Sequence, residues 1–210
     1  YRLPDDKERV HVFNESSGLE NEVIKSIAQD SFGKLWMGLG NNRINILNLK
    51  TKKVDKIVIN DHKKYNVIKQ LTLDKKNKLM FFASDYAVGS INEQLPQQAT
   101  INHLKEQNNS VFVVKNFSLD TGNKLALSLS SGVVIINDRL DKFEFSALKY
   151  QENKNYFQDR SYRVYYDHSQ NLWFANINGI NIFNHKTLNK TYQNNNLLTK
   201  RINDIKQLQN

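Results

Sequence analysis

The chain has 210 residues, a formal charge of +9 and a pI near 9.5, with 8 Gly, 2 Pro and no Cys. That length is ample for a buried core, and the missing cysteines exclude disulfides, thiolate metal sites and cysteine nucleophiles. The longest unbroken aliphatic run, Val133-Val134-Ile135-Ile136, falls far short of the about 20 residues of a membrane-spanning helix, and the polar opening YRLPDDKERV has no apolar signal core.

Taken in chain order, Val10-His11-Val12-Phe13 reads as the outer strand of a preceding blade. Val23–Gln29 is a strand bounded by Asn21 and Asp30. Asp30-Ser31-Phe32-Gly33-Lys34 is a turn, with Gly33 at a position that needs positive φ. Leu35–Leu39 is a second strand, Gly40-Asn41-Asn42 a hairpin turn, and Ile44–Leu49 a third strand. After Thr51-Lys52-Lys53, Val54–Ile59 is a more polar fourth strand. The same order recurs at Val111–Leu119, Lys124–Ser130, Gly132–Asn137 and Lys142–Leu148, then at Tyr162–Asp167, Leu172–Asn176, Ile180–Asn184 and Thr191–Gln193. A further copy of the turn lies at Leu71–Leu79, and a fifth copy opens at Ile202-Asn203-Asp204-Ile205.

The repeat is anchored by aspartates 30, 74, 120 and 167, spaced 44, 46 and 47 residues apart. Five residues after each stands a leucine: Leu35, Leu79, Leu125 and Leu172. Trp36 and Trp173 follow in the first and fourth copies, whereas Met80 and Ala126 take that slot in the middle two. Short strands in groups of four with a period in the mid-forties predict an all-β fold of four-stranded antiparallel β-propeller blades. One sheet cannot bury both of its faces, so each blade must pack on the next, with Leu35, Trp36, Leu172 and Trp173 between blades. The segment 1–210 divides into blades near 19–60, 62–104, 108–149 and 158–195, with partial blades at 1–18 and 196–210. Four blades and two fragments read as part of a larger ring, or as a small ring closed by exchange of end strands.

Leu19, Asn21, Ile24, Ile27, Asp30, Gly33, Leu35, Trp36 and Gly38 resemble the two-component regulator propeller repeat. The fourth copy matches through Val164, Asp167, Leu172, Trp173, Gly179 and Ile180, and departs at Ser161 and at Gln170, where Gly is expected. The resemblance implies a periplasmic ligand sensor of an inner-membrane bacterial receptor. Its implied outputs, a histidine kinase or a diguanylate cyclase, would lie outside these residues, as would the membrane segments. It also implies further blades of the same receptor as partners, and a possible homodimer.

Chemistry is sparse. Aspartates at the first position of a turn accept backbone N–H bonds; they do not supply the clustered oxygens of a calcium loop. The histidines at 11, 62, 103, 168 and 185 lack metal-ligand spacing. No nucleophile elbow or dinucleotide fingerprint occurs. No catalytic residue, cofactor or metal is therefore expected. Tyr162, Tyr165 and Tyr166 could stack on sugars, although alternation along a strand makes some of them core. Lys50, Lys52, Lys53, Lys56, Lys63, Lys64, Lys69, Lys75, Lys76 and Lys78 are interleaved with acids, which argues against nucleic acid as a partner. The 29 asparagines, with few glycines, read as turn residues.

Ligands on a propeller contact one rim. Here the rim loops carry Asn21, Asn41, Asn42, Asp85, Tyr86, Arg160, Asn176, Asn178 and Arg201, whose amides and guanidinium groups suit hydroxyl and carboxylate partners. The expected function is non-catalytic sensing of an oligosaccharide, acidic if the +9 charge is used. A protein–protein scaffold is the alternative, and a polysaccharide-acting enzyme is a weaker third.

Overall fold

The computed structural model describes residues 12–21, 23–59, 67–97, 99–103, 113–122, 124–136, 160–177, 179–183 and 190–192. Within them, fifteen strands form four antiparallel meanders. The first blade holds β1 (Ile24–Gln29), β2 (Leu35–Leu39), β3 (Arg43–Leu47) and β4 (Val54–Val58). The second holds β5 (Gln70–Asp74), β6 (Leu79–Ala83), β7 (Ala87–Asn92) and β8 (Ala99–His103). The third shows β9 (Val114–Leu119), β10 (Leu125–Leu129) and β11 (Gly132–Ile136). The fourth holds β12 (Ser161–Tyr166), β13 (Leu172–Asn176), β14 (Gly179–Phe183) and β15 (Lys190–Tyr192). The all-β, bladed architecture read from the repeat is the one observed.

The predicted strand ends within the described residues shift by one or two residues for local reasons. β3 stops at Leu47 because Asn48 turns the chain: its Oδ1 accepts from the backbone N–H groups of Lys50 and Thr51 at 2.9 and 3.1 Å. Val12 and Phe13 form no strand. Instead Asn14 leads into a short 3-10 turn, Glu15–Ser17, closed by Gly18 at φ 96°, and Phe13 packs beside Leu19, Met37, Leu39 and Leu47. The predicted strand Lys142–Leu148, the predicted strand residues Val10, His11, Val111, Phe112, Asn137, Asn184 and Gln193, and the fifth copy at Ile202 lie outside the described residues.

Blades stack in chain order, and the period-2 alternation of each strand divides its side chains between two neighbours. Between blades one and two, Trp36, Ile44, Ile46, Ile57 and Ile59 meet Ile68, Leu71, Met80, Phe82 and Ile91. Between blades two and three, Ala83 and Val88 meet Val114, Phe117, Leu125, Leu127 and Leu129. Between blades three and four, Ala126, Val133 and Ile135 meet Val164, Leu172, Phe174 and Phe183. Each fully buried aliphatic or aromatic side chain here contributes about 1.5–3 kcal/mol by leaving water. Trp36 and Leu172 thus lie between blades as expected. Leu35 differs: it faces the opposite side of blade one, with Phe13 and Leu19. Trp173 is only half-buried.

Close approach of blades explains the glycine of the Leu-Trp-x-Gly motif. A Cβ on Gly38 would sit 2.5 Å from Ser26 Oγ and 2.7 Å from Ile68 Cγ2 of the next blade.

The first strand of each blade touches the first strand of the next. These are edge strands, whose outward backbone groups need partners. Amide side chains supply them. Gln70 Nε2 donates to the Phe117 carbonyl at 2.9 Å, and Gln70 Oε1 accepts from the Phe117 N–H at 3.0 Å. One blade further on, Asn116 Oδ1 accepts from the Val164 N–H at 2.7 Å.

Candidate functional site

In an antiparallel meander, the start of the first strand and the second hairpin fall at one end, and the aspartate turns fall at the other. The aspartate end is built for stability. Asp30 Oδ1 accepts from the N–H groups of Phe32 (2.9 Å) and Lys34 (2.8 Å), while Oδ2 accepts from Trp36 Nε1 at 2.9 Å. In blade four, Asp167 Oδ1 accepts from Asn171 N–H (2.9 Å), and Oδ2 from Trp173 Nε1 (2.8 Å) and Asn171 Nδ2 (2.9 Å). Among the described residues, Asp74 and Asp120 accept only from their own turns: Lys76 N–H, Asn77 N–H and Asn77 Nδ2 for the first, Gly122 and Lys124 N–H for the second. The tryptophan is therefore the second half of a clamp, and the two blades that lack it keep the turn but lose the indole bond. All four aspartates have the structural role expected of them.

Gly33 has φ +78°, as its turn required. Gln170 takes the matching slot with φ 62°. It offsets that strain through its side chain, because Gln170 Oε1 accepts the Thr121 N–H of blade three at 2.9 Å. The corresponding bond two interfaces earlier, between blades one and two, comes from Glu93, 1 % exposed, whose Oε2 accepts the Ser31 N–H at 3.0 Å.

Burial opposes the charge on Asp167, but the hydrogen bonds from Trp173, Asn171 and Ser169 hold its carboxyl below the ordinary value of 3.8. A carboxyl depressed in the folded state stabilises the fold above its unfolded-state pKa. That contribution fades as pH falls through the folded-state value. Asp167→Asn is accordingly expected to flatten the acid limb of the stability curve. The gap in unfolding midpoint between wild type and variant should narrow from about pH 5 to about pH 3, measured by thermal melts.

The hairpin end is where the rim residues were placed. Asn21 Oδ1 accepts from the Val23 N–H at 2.7 Å and shapes the entry to β1. Asn42 holds the hairpin at φ 62° and its carbonyl accepts from Ile59 N–H at 3.0 Å. Asn41 sits beside it, with its buried Oδ1 meeting no donor among the described residues. Asp85 pairs with Lys69, and its carbonyl takes the Val114 N–H of blade three at 2.9 Å. Tyr86 neighbours it in the same hairpin, half-buried. Arg160 lies over the Tyr162 ring at 5.7 Å. Asn176 is buried at the end of β13. Asn178 and Arg201 lie outside the described residues. The loops thus bring Asp85 and Tyr86 together with Lys69, while Asn21, Asn41 and Asn42 form a separate group on blade one.

Of the tyrosines, Tyr166 packs against the core of blades three and four. Burial, with the Asp120 carboxylate, pushes its phenol far above the usual range, so it is a neutral packing residue. His168 is exposed in the aspartate turn. No group of three or more His, Asp or Glu side chains converges as a metal site among the described residues.

One feature escaped the reading of the rim. The residue five before each turn aspartate is Lys25, Lys69, Lys115 and then Tyr162. In blades one, three and four it is a β-bulge. The register skips Lys25 between Ile24 and Ser26, Lys115 between Val114 and Asn116, and Tyr162 between Ser161 and Arg163. In blade two Lys69 stands just ahead of β5, where its N–H donates to the Ala83 carbonyl at 2.8 Å. The signal was present in the sequence as Ile-Lys-Ser-Ile, Ile-Lys-Gln-Leu and Val-Lys-Asn-Phe.

Comparison with known proteins agrees with this geometry. The model of the two component regulator propeller matches residues 18–44. These residues, the Asp30 turn and the strands beside it, are similar to a two component regulator propeller repeat. No curated protein matches the chain. Among solved structures, this chain resembles the extracellular domain of a hybrid two component system from B. thetaiotaomicron, with TM-score 0.61 and 14% identity over 79% of this chain and 22% of that one. A second such extracellular domain from the same organism gives TM-score 0.53 and 18% identity over 87% of this chain and 30% of that one. Virginiamycin B lyase from Staphylococcus aureus gives TM-score 0.62 and 15% identity over 83% and 57%. The chain spans about a fifth to just over half the length of these proteins. Likeness at such identities establishes the propeller fold alone.

Proposed function

We propose that this chain is a non-catalytic ligand-sensing propeller, exposed outside the cytoplasm, of a bacterial two-component-type receptor that responds to an oligosaccharide. The regulator-propeller repeat at residues 18–44 carries the reading, and the resemblance to extracellular domains of hybrid two component systems supports it. The four blades would be one arc of a longer ring in that receptor. Ile27 supports this part: it is 58% exposed, whereas its counterparts Leu71, Phe117 and Val164 are 6%, 2% and 4% exposed because a preceding blade covers each. Signalling would follow if ligand bound one arrangement of blades, or of a receptor dimer, more tightly than the other. The kinase or cyclase output would lie elsewhere in the receptor.

The test is receptor output in cells given a panel of neutral and acidic oligosaccharides. Graded activation by one sugar, lost when the hairpin end is altered at Asp85 and Tyr86, is the expected result. Output indifferent to every sugar would sink the sensing reading. Turnover of any polysaccharide by the purified chain would overturn its non-catalytic part.

A further inference from the structure

We propose that the aspartate end of blades one and two docks on an anionic lipid surface, with apolar side chains of its turns entering the headgroup layer and lysines facing the lipid phosphates. Four turns share that end. Gln29, Leu35, Leu47 and Val54 pair side by side across blade one, so the turns 30–34 and 48–53 leave it together. Asp74, Leu79 and Asn92 pair in the same way in blade two, so the turn 75–78 and the loop after Asn92 also leave together. The Ser31 N–H bond to Glu93 Oε2 joins the two sets, and Lys78 Nζ donates to Ser31 Oγ at 3.1 Å. These turns carry Phe32, 54% exposed, Leu49, 40% exposed, and Leu95, 53% exposed. Backbone bonds fix how each is presented. Asp30 Oδ1 takes the Phe32 N–H, Asn48 Oδ1 those of Lys50 and Thr51, and Asn92 Oδ1 those of Gln94 and Leu95 at 2.8 and 3.4 Å.

The charge of the same turns is one-sided. They hold Lys34, Lys50, Lys52, Lys53, Lys75, Lys76 and Lys78 against Asp30, Asp74 and Glu93. All three carboxylates are taken up within the fold, by the Asp30 and Asp74 turns themselves and by Ser31 N–H. Lys52 lies over the Phe13 ring and Lys78 is engaged with Ser31, but Lys34, Lys50, Lys53, Lys75 and Lys76 make no ion pair among the described residues. The exposed acids at the margin are Glu15, on the turn whose Gly18 faces Val54, and Asp55, in β4. A single exposed leucine needs no explanation, whereas three large apolar side chains among lysines at one end mark an interaction surface. An apolar side chain gains by leaving water for the headgroup boundary, and each lysine gains from the potential of anionic lipid. Lipids rearrange around four separate turns, which a folded acidic protein would have to match in shape. Docked in this way, the chain holds its hairpin end, with Asp85 and Tyr86, away from the lipid.

The experiment is co-sedimentation of the full chain with vesicles of phosphatidylglycerol mixed into phosphatidylcholine, and with vesicles of phosphatidylcholine alone, at two salt concentrations. Expected is binding to the mixed vesicles alone, weakening as salt screens the charges. The double variant Lys75→Gln/Lys76→Gln should bind at least about tenfold more weakly. Phe32→Ser/Leu95→Ser keeps every charge and should bind at least about fivefold more weakly, through the apolar contact alone. The control Lys25→Gln/Arg160→Gln removes the same charge at the hairpin end, and should change affinity less than about twofold, because it lies beyond the screening distance. Unchanged melting of the three variants keeps loss of folding out of the comparison. Equal losses in the control and the lysine variant, full binding by the Phe32/Leu95 variant, equal binding to neutral vesicles, or no binding would overturn the proposal, whereas the sensing reading is decided by receptor output. Tighter binding of polyglutamate than of the mixed vesicles would make an acidic protein the occupant and overturn the lipid assignment.

Discussion

Trp36→Ala is expected to lower the unfolding free energy by about 3–5 kcal/mol, the range for deleting a buried large aromatic. Trp36 is 0% exposed and stands at the centre of the interface between blades one and two. Its removal opens a cavity lined by isoleucines and also leaves Asp30 Oδ2 without its indole donor. For a chain of this size that loss corresponds to a fall in melting temperature of roughly 6–20 °C. Trp36→Phe separates the two effects. It keeps most of the buried ring and loses the hydrogen bond, so about 1–3 kcal/mol is expected. Trp173→Ala makes the contrast, because Trp173 keeps the same bond to its aspartate but is half-buried. Its cost should be visibly smaller than that of Trp36→Ala. Thermal or denaturant unfolding of the three variants decides the matter, and equal losses at positions 36 and 173 would refute the burial argument.

Phe117→Ala and Ile27→Ala should behave oppositely although they occupy the same position of the repeat. Phe117 is 2% exposed under blade two and its backbone is stapled by Gln70. Its truncation should cost about 3–5 kcal/mol. Ile27 is 58% exposed on the open side of blade one, so its truncation should change the stability of this chain by no more than about 0.5 kcal/mol. In a receptor carrying a preceding blade, Ile27→Ala should become costly as well. A small effect there too would mean that no blade covers that face.

The expectations that succeeded share a physical basis. The Asp-to-Trp spacing fixes a hairpin turn and places the indole back on the turn carboxylate, so a local rule was enough to find Asp30, Gly33 and Trp36. Strand identity followed from period-2 patterning and turn residues for the same reason. The strand expected at Val12 and Phe13 failed because three polar residues, Asn14, Glu15 and Ser16, with Gly18 as a left-handed cap, favour a tight turn once Phe13 and Leu19 can pack on blade one. The rim list was only partly informative, because a residue type in a loop does not state whether its polar atoms are already used. Asp85 shows this: its carboxylate belongs to Lys69.

By itself the sequence of 210 residues with a period near 46 determined the class of fold, the number of repeats and the residues of the turn clamp. These depend on contacts within one hairpin, which sequence spacing reports directly. Only the tertiary structure decided which face of each strand meets which blade, why Ile27 is bare while Phe117 is covered, and that Lys25 and Lys115 stand on bulges. Those properties arise from register and from the stacking of sheets far apart in the chain, where a shift of one residue reverses every side chain.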